Sequence, residues 1–228
     1  MDERFPDEFV TWHHKTPIGV KVDEVFGMDS KEGRVWLELA RQIYCEQGEP
    51  NYREIDHFPN GAPFLEGYPG RISITHTSHF LAVAMLPKTP ESNLEAFSPR
   101  TAMGIDAESF GRSQVLKIRD KFLSEDEKTL IPEDDLKANI IAWTSKEALY
   151  KAALTTGLDF RKDIKIITLP GINTNPEVMK NPSLGEAMVS IPSVDDKWEI
   201  PFSLYCYESY GNCVTIAFSP KCAKFGGR

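Results

Sequence analysis

The sequence predicts an α+β fold made of two similar halves in one chain. Two observations predict it. A strand, a helix and a pair of strands occupy the first half, and after residues 87–101 a strand and helices begin again, closing on a run of strands. Periods of 2 and 3.6 also alternate along the chain, rather than one dominating it. The boundary divides the chain into subdomains 1–100 and 101–228. The repeat rests on element order, not on identity between the halves.

The first half opens with an apolar strand at Ile18–Val22. A helix is expected from about Ser30 to Glu46. Ser30 suits its N-cap, Glu32 its first turn, and Val35, Leu37, Leu39, Ala40 and Ile43 its apolar face, with Gly48 and Pro50 ending it. A loop rich in Pro and Gly runs from Phe58 to Gly70. Then Ile72-Ser73-Ile74-Thr75-His76 alternates as a strand, and Leu81–Leu86 completes a hairpin.

The second half starts with a strand at Ala102–Glu108 and a helix near Ser113–Phe122. Ser124 with Glu127 three residues on forms a capping box, a local reason for a helix to start there. A long helix follows near Leu136–Leu154, with Gly157 placed to stop it. Strands are expected at Ile164–Thr168, Glu186–Ile191, Pro201–Glu208 and Cys213–Phe218.

Composition narrows the function classes. A chain of 228 residues with 41% hydrophobic and 26% charged residues suits a globular protein with a core of its own. The net charge of -8 argues against a general nucleic-acid binder, which needs a basic surface to displace counterions from phosphates. A local basic patch stays compatible with that charge, and Arg112 with Lys117, Arg119 and Lys121 supplies one, otherwise read as a solvated helix face. The first residues show neither a basic start nor an apolar run, so no secretory signal is expected, and no stretch is long enough to span a membrane. Four cysteines without C-x-x-C spacing read as reduced thiols of a cytoplasmic protein.

Two stretches carry the chemistry: Met103-Gly104-Ile105-Asp106-Ala107-Glu108, and Trp143 through Ala152. On a strand, Asp106 and Glu108 share one face and repel each other unless a cation joins them or one takes a proton. Alone, the pair reads as well as a solvated acidic edge. Glu147 and Lys151, four apart on a helix, are neighbours on one face and at the least form an i,i+4 ion pair worth ~0.3–0.5 kcal/mol. Together these residues offer three carboxylates and an ammonium. Such oxygen ligands suit Mg²⁺, with Mn²⁺ as a substitute, beside an anionic ligand.

These stretches resemble the signature of the 4′-phosphopantetheinyl transferases, roughly G-[IV]-D-[IV]-E followed by W-[ST]-x-K-E-[AS]-x-x-K, with Ala107 in place of a branched residue. Length and the two-half layout resemble the surfactin-synthetase-associated type, which holds both halves in one chain as a pseudo-twofold monomer; this implies an active site in the cleft between the halves. The likeness extends to Asn60–Leu65, to Ile72–Thr77, to Lys121–Glu127 and to the helix Trp36–Arg41, which resembles one preceding the adenine pocket. Ala62 stands where the family often has a lysine near the coenzyme's phosphates.

The resemblance implies Mg²⁺-dependent transfer of the phosphopantetheine arm of coenzyme A to a serine of an apo acyl or peptidyl carrier protein, releasing 3′,5′-ADP. It implies metal ligands Asp106, Glu108 and Glu147, catalytic Glu147 and Lys151, and coenzyme contacts from Arg41, Thr75, His76, Lys146 and Lys151. By spacing alone, His76 is as readily a satisfied strand histidine. The proton acceptor is either Glu147 or a metal-bound water. Rival readings are a Mg²⁺-dependent nucleotide pyrophosphate hydrolase and a silent module that binds coenzyme A or the carrier. Neither nucleic acid nor membrane is an expected partner.

Overall fold

The computed structural model describes residues 10–27, 29, 31–34, 55–65, 71–86, 102–174, 181–192 and 197–219. Strand β1 (Val10–Lys15) turns into β2 (Lys21–Phe26), and the N–H and hydroxyl of Thr16 both donate to the Val20 carbonyl across that turn. Residues 16–20 are spent closing it, so the strand expected at Ile18–Val22 starts later. β1 itself was not expected. Residues 31–34 are helical; the rest of the stretch expected as the first helix, Arg41 included, and the linker 87–101 lie outside the described residues.

The Pro- and Gly-rich segment holds a short hairpin, β3 (Ile55–His57) with β4 (Pro63–Leu65). β5 (Arg71–His76) and β6 (Phe80–Leu86) follow as the expected pair. One antiparallel sheet results, ordered β1-β2-β6-β5.

β7 (Met103–Ser109) leads to α1 (Gln114–Phe122), α2 (Glu125–Leu130) and α3 (Leu136–Ala153). The capping box of Ser124 and Glu127 is present. β8 (Ile164–Thr168), β9 (Ile172–Asn173), β10 (Leu184–Pro192), β11 (Lys197–Ser209) and β12 (Asn212–Phe218) complete a second sheet, ordered β7-β12-β11-β10-β8, with β9 parallel to β11. Tyr210 and Gly211 turn β11 into β12 with φ of 46° and 75°. Two positive φ values match the twist of a two-residue hairpin.

The two sheets share an apolar layer. Val20, Val22, Phe80, Ala82 and Ala84 lie against Met103, Ile105, Ala107, Tyr205, Tyr207, Val214 and Ile216. The other face of the second sheet carries α3, with Ala148, Leu149 and Ala152 on Ile164, Val189, Ile200 and Leu204. At one corner edge strand β5 lies beside edge strand β7, joined through side chains rather than a ladder. Ser73 Oγ accepts from Ile105 N at 3.1 Å, and Thr75 Oγ1 from Ala107 N at 2.9 Å. Exposed edges invite stray pairing, and these hydroxyls occupy one.

α3 is buried around most of its girth, polar residues included, where the sequence indicated a single apolar flank. It ends at Leu154 in left-handed conformation (φ 53°), three residues before Gly157. The amide of Asn60 caps it there, donating to the Leu154 carbonyl at 2.7 Å. No helix among the described residues is long and apolar enough to cross a membrane.

Candidate active site

Alternation along β7 sends Met103, Ile105 and Ala107 into the layer between the sheets, and Gly104, Asp106 and Glu108 towards α3. Gly104 is what lets the helix approach. A Cβ there would stand 2.1 Å from the Ala148 carbonyl oxygen and 2.7 Å from the Ala152 nitrogen. The helix therefore sets Trp143 and Lys151 on the two carboxylates, with Glu147 on the turn between them.

Lys151 does not pair with Glu147 along the helix, as the i,i+4 spacing suggests. Its Nζ crosses to Asp106 Oδ1 at 2.7 Å and donates to the carbonyls of Ile105 (3.0 Å) and Ile74 (3.3 Å). Three acceptors use all three ammonium protons. Thr75 donates to the same Asp106 oxygen at 3.2 Å. Glu108 Oε1 accepts from the Trp143 indole at 3.0 Å and from the Arg112 guanidinium. Trp143 is also packed by Phe122 and Phe160, the cover that a large aromatic on this flank requires.

Glu147 takes no hydrogen bond from a described residue and is half-buried. Burial, and next the nearby charge of Asp106, push its carboxyl up to about 7. Burial also raises Asp106 against the pull of Lys151, and Glu108 against that of Arg112. A group able to change protonation near neutral pH thus stands beside an ammonium and two further carboxylates.

Two hollows flank this cluster. One, of about 460 Å³, is lined by Arg34, Asn60, Ala62, His76, Tyr150 and Lys151 among others. The other, an open basin of about 600 Å³, is lined by His76, Thr77, Ser78, Glu108, Ser109, Gly111, Arg112 and Gln114. His76 borders both. Its Nε2 accepts from Arg34 at 2.9 Å, because a guanidinium can only donate, which leaves the ring proton on Nδ1.

Asp106, Glu108, Glu147 and Lys151 are thus brought together, with His76 at the mouth of both hollows. Lys146 is a correction. One residue from Glu147, it points a third of a turn away, into the core, and lines neither hollow. Its Nζ meets Glu127 Oε1 at 2.6 Å and donates to the carbonyls of Phe160 and Ile164. Burial lowers its pKa against the pull of Glu127. Glu127 also accepts from Ile166 N and from Ser124, so the pair is closed off from a ligand. Thr75 is a second correction: it is buried, with its hydroxyl committed to Asp106 and Ala107 rather than to a hollow. Arg41 lies outside the described residues.

The basic patch loses its two arginines, while Lys117 and Lys121 stay on the exposed face of α1. Arg119 is buried, donating to Asn139 Oδ1 and to the carbonyls of Lys128 and Ile131, while Arg112 turns to Glu108. Arg34 carried no signal in the sequence, since it meets a partner 42 residues away, whereas Arg112 meets Glu108 four residues back across the turn that ends β7.

Residues 102–187 match the family model of the 4′-phosphopantetheinyl transferase superfamily. The match takes in β7, the three helices and β8, hence Asp106, Glu108, Glu147 and Lys151, and stops short of His76 and the first sheet. No curated protein matches the chain. The mixed α and β architecture is compatible with that superfamily.

Members of the superfamily use coenzyme A and Mg²⁺, and the donor chemistry here fits a hard ion. Among the described residues, every side-chain hydrogen bond to Asp106 and Glu108 falls on one oxygen of each, Oδ1 and Oε1, and neither oxygen of Glu147 takes one. As they stand the carboxylates are spread. Among the described residues no three His, Cys, Asp or Glu side chains are close enough to enclose an ion.

Proposed function

We propose that the protein transfers the 4′-phosphopantetheine arm of coenzyme A to a serine of an apo acyl or peptidyl carrier protein, releasing 3′,5′-ADP. The observation that carries this reading is Lys151, bound to Asp106 at the rim of a deep hollow, one helical turn from Glu147 with its open carboxylate. The superfamily match over these residues supports transfer of phosphopantetheine in general. The carrier substrate, metal dependence and surfactin-synthetase-associated type are proposed on the resemblance described above.

In this mechanism the 460 Å³ hollow holds coenzyme A, with its pyrophosphate between His76, Arg34 and Lys151. The basin beyond His76 admits the acceptor serine. Asp106, Glu108 and Glu147 would hold Mg²⁺, or Mn²⁺ in its place, which when bound supplies charge neutralisation at the pyrophosphate. Serine oxygen bonds to the phosphorus of the pantetheine phosphate as the bond from that phosphorus to the ADP oxygen breaks. The serine proton passes to Glu147, whose carboxylate takes no hydrogen bond from a described residue, and Lys151 offsets charge gathering on the departing ADP.

We assign subdomains 1–100 and 101–228 to the coenzyme and metal sides of the site, and infer a monomer because β5, β7 and α3 meet within one chain; a cytoplasmic location is proposed on the cysteine pattern alone. The test is incubation with coenzyme A, Mg²⁺ and an apo carrier. Mass spectrometry is expected to show one phosphopantetheine on the carrier serine, with release of 3′,5′-ADP. ADP release at the same rate without carrier would establish the hydrolase instead.

A further inference from the structure

We propose that Arg112 is a resident counter-ion that competes with the divalent ion for Glu108 and thereby sets the affinity of the site for metal. This rests on the transferase reading, in which Glu108 is a metal ligand.

Two cations of the chain already sit on the carboxylates, and they are held very differently. Lys151 keeps Asp106 with help from two backbone carbonyls, and its side chain is 31% exposed. Arg112 has Glu108 as the one side-chain hydrogen-bond partner of its guanidinium among the described residues, and it is 44% exposed. It can therefore leave at little cost. Glu108 is only 13% exposed, on a strand fixed between β12 and β5, so it cannot follow.

An ion on the free oxygen of Glu108 would put a double positive charge and a guanidinium on opposite sides of one carboxylate. Repulsion at that range exceeds what a half-exposed ion pair returns. Arg112 must then swing out into the basin that it lines, leaving the Trp143 indole as the remaining donor on Oε1. It closes a four-residue loop after β7, with its own N–H on the Ser109 carbonyl, so its backbone stays in place while the side chain moves.

The test is Mn²⁺ binding by electron paramagnetic resonance, without carrier protein and both with and without coenzyme A. Arg112→Gln is expected to bind Mn²⁺ about fivefold more tightly than wild type, the scale of one partly exposed ion pair removed. Lys137→Gln deletes the same charge from a lysine that lies over the Phe110 ring and does not touch the carboxylates. It should change affinity less than twofold if contact, not net charge, matters. In parallel, the Arg112 Nε–H signal in nitrogen NMR is expected to shift on saturation with Mg²⁺. Unchanged affinity in Arg112→Gln, an equal gain in Lys137→Gln, or an Arg112 signal that does not move overturns the inference while leaving the transferase intact. Wild type that binds no Mn²⁺ in either condition overturns the metal assignment and this inference with it.

Discussion

Gly104→Ala tests whether the glycine of the β7 motif is demanded by geometry. The added methyl would lie 2.1 Å from the Ala148 oxygen and 2.7 Å from the Ala152 nitrogen, more than an ångström inside ordinary contact with the first. Both are backbone atoms of a buried helix, so no side chain can turn away to make room. Either α3 lifts from β7 or β7 bends. Overpacking of this kind costs ~1–3 kcal/mol, and rigid backbone on both sides places it at the upper end. Lys151 rides on the lifted turn, and its 2.7 Å contact with Asp106 lengthens by a comparable amount. A misplacement of about 1 Å costs on the order of 10²-fold in rate. Urea denaturation beside kcat/KM for carrier modification measures both. A variant within ~0.5 kcal/mol of wild type, with normal turnover, would refute the close approach and with it the placement of α3 on β7.

Lys151→Met should lower the transfer rate by on the order of 10²-fold and, because Asp106 is left buried without its ammonium, cost ~1–3 kcal/mol after allowance for the third of Lys151 that is exposed; a melt unchanged within ~0.5 kcal/mol would return the residue to the surface-pair reading. Lys146→Met strands Glu127 in the core and should cost ~3–5 kcal/mol, measured by denaturation, with Glu127→Leu added in the same chain restoring much of it. Glu24, between the sheets, accepts from Tyr207 at 2.6 Å and Ser209 at 2.7 Å, and burial lifts it to about 7 from 4.5. Its folded pKa lies above the unfolded one, so its stabilisation is complete below about pH 4.5 and fades as pH rises through about 7, by up to ~3 kcal/mol. Glu24→Gln should flatten stability against pH between 5 and 8, and an unaltered slope in urea titrations would count against this joint.

What the sequence by itself determined is most of the elements, though not β1, β3, β4 or β9, and the residue types gathered on β7 and α3. Period 2 at Ile72–His76 and Met103–Glu108, a capping box at Ser124 and the spacing of Glu147 and Lys151 are local signals, and each is borne by backbone geometry that tertiary contacts did not override. The short hairpin β3–β4 escaped because strands of three residues between Pro and Gly have no period to read. Only the tertiary structure decided who meets whom. Lys151 takes a carboxylate 45 residues away rather than its helical neighbour, and Lys146 takes Glu127, because close packing of α3 on β7 and β8 fixes the helix's roll. Arg34 on His76, 42 residues apart, likewise depends on which segments the first sheet brings together. Side-chain type and spacing along one element are written in the chain; the partner across a core is set by burial and the exclusion of water, which no local pattern records.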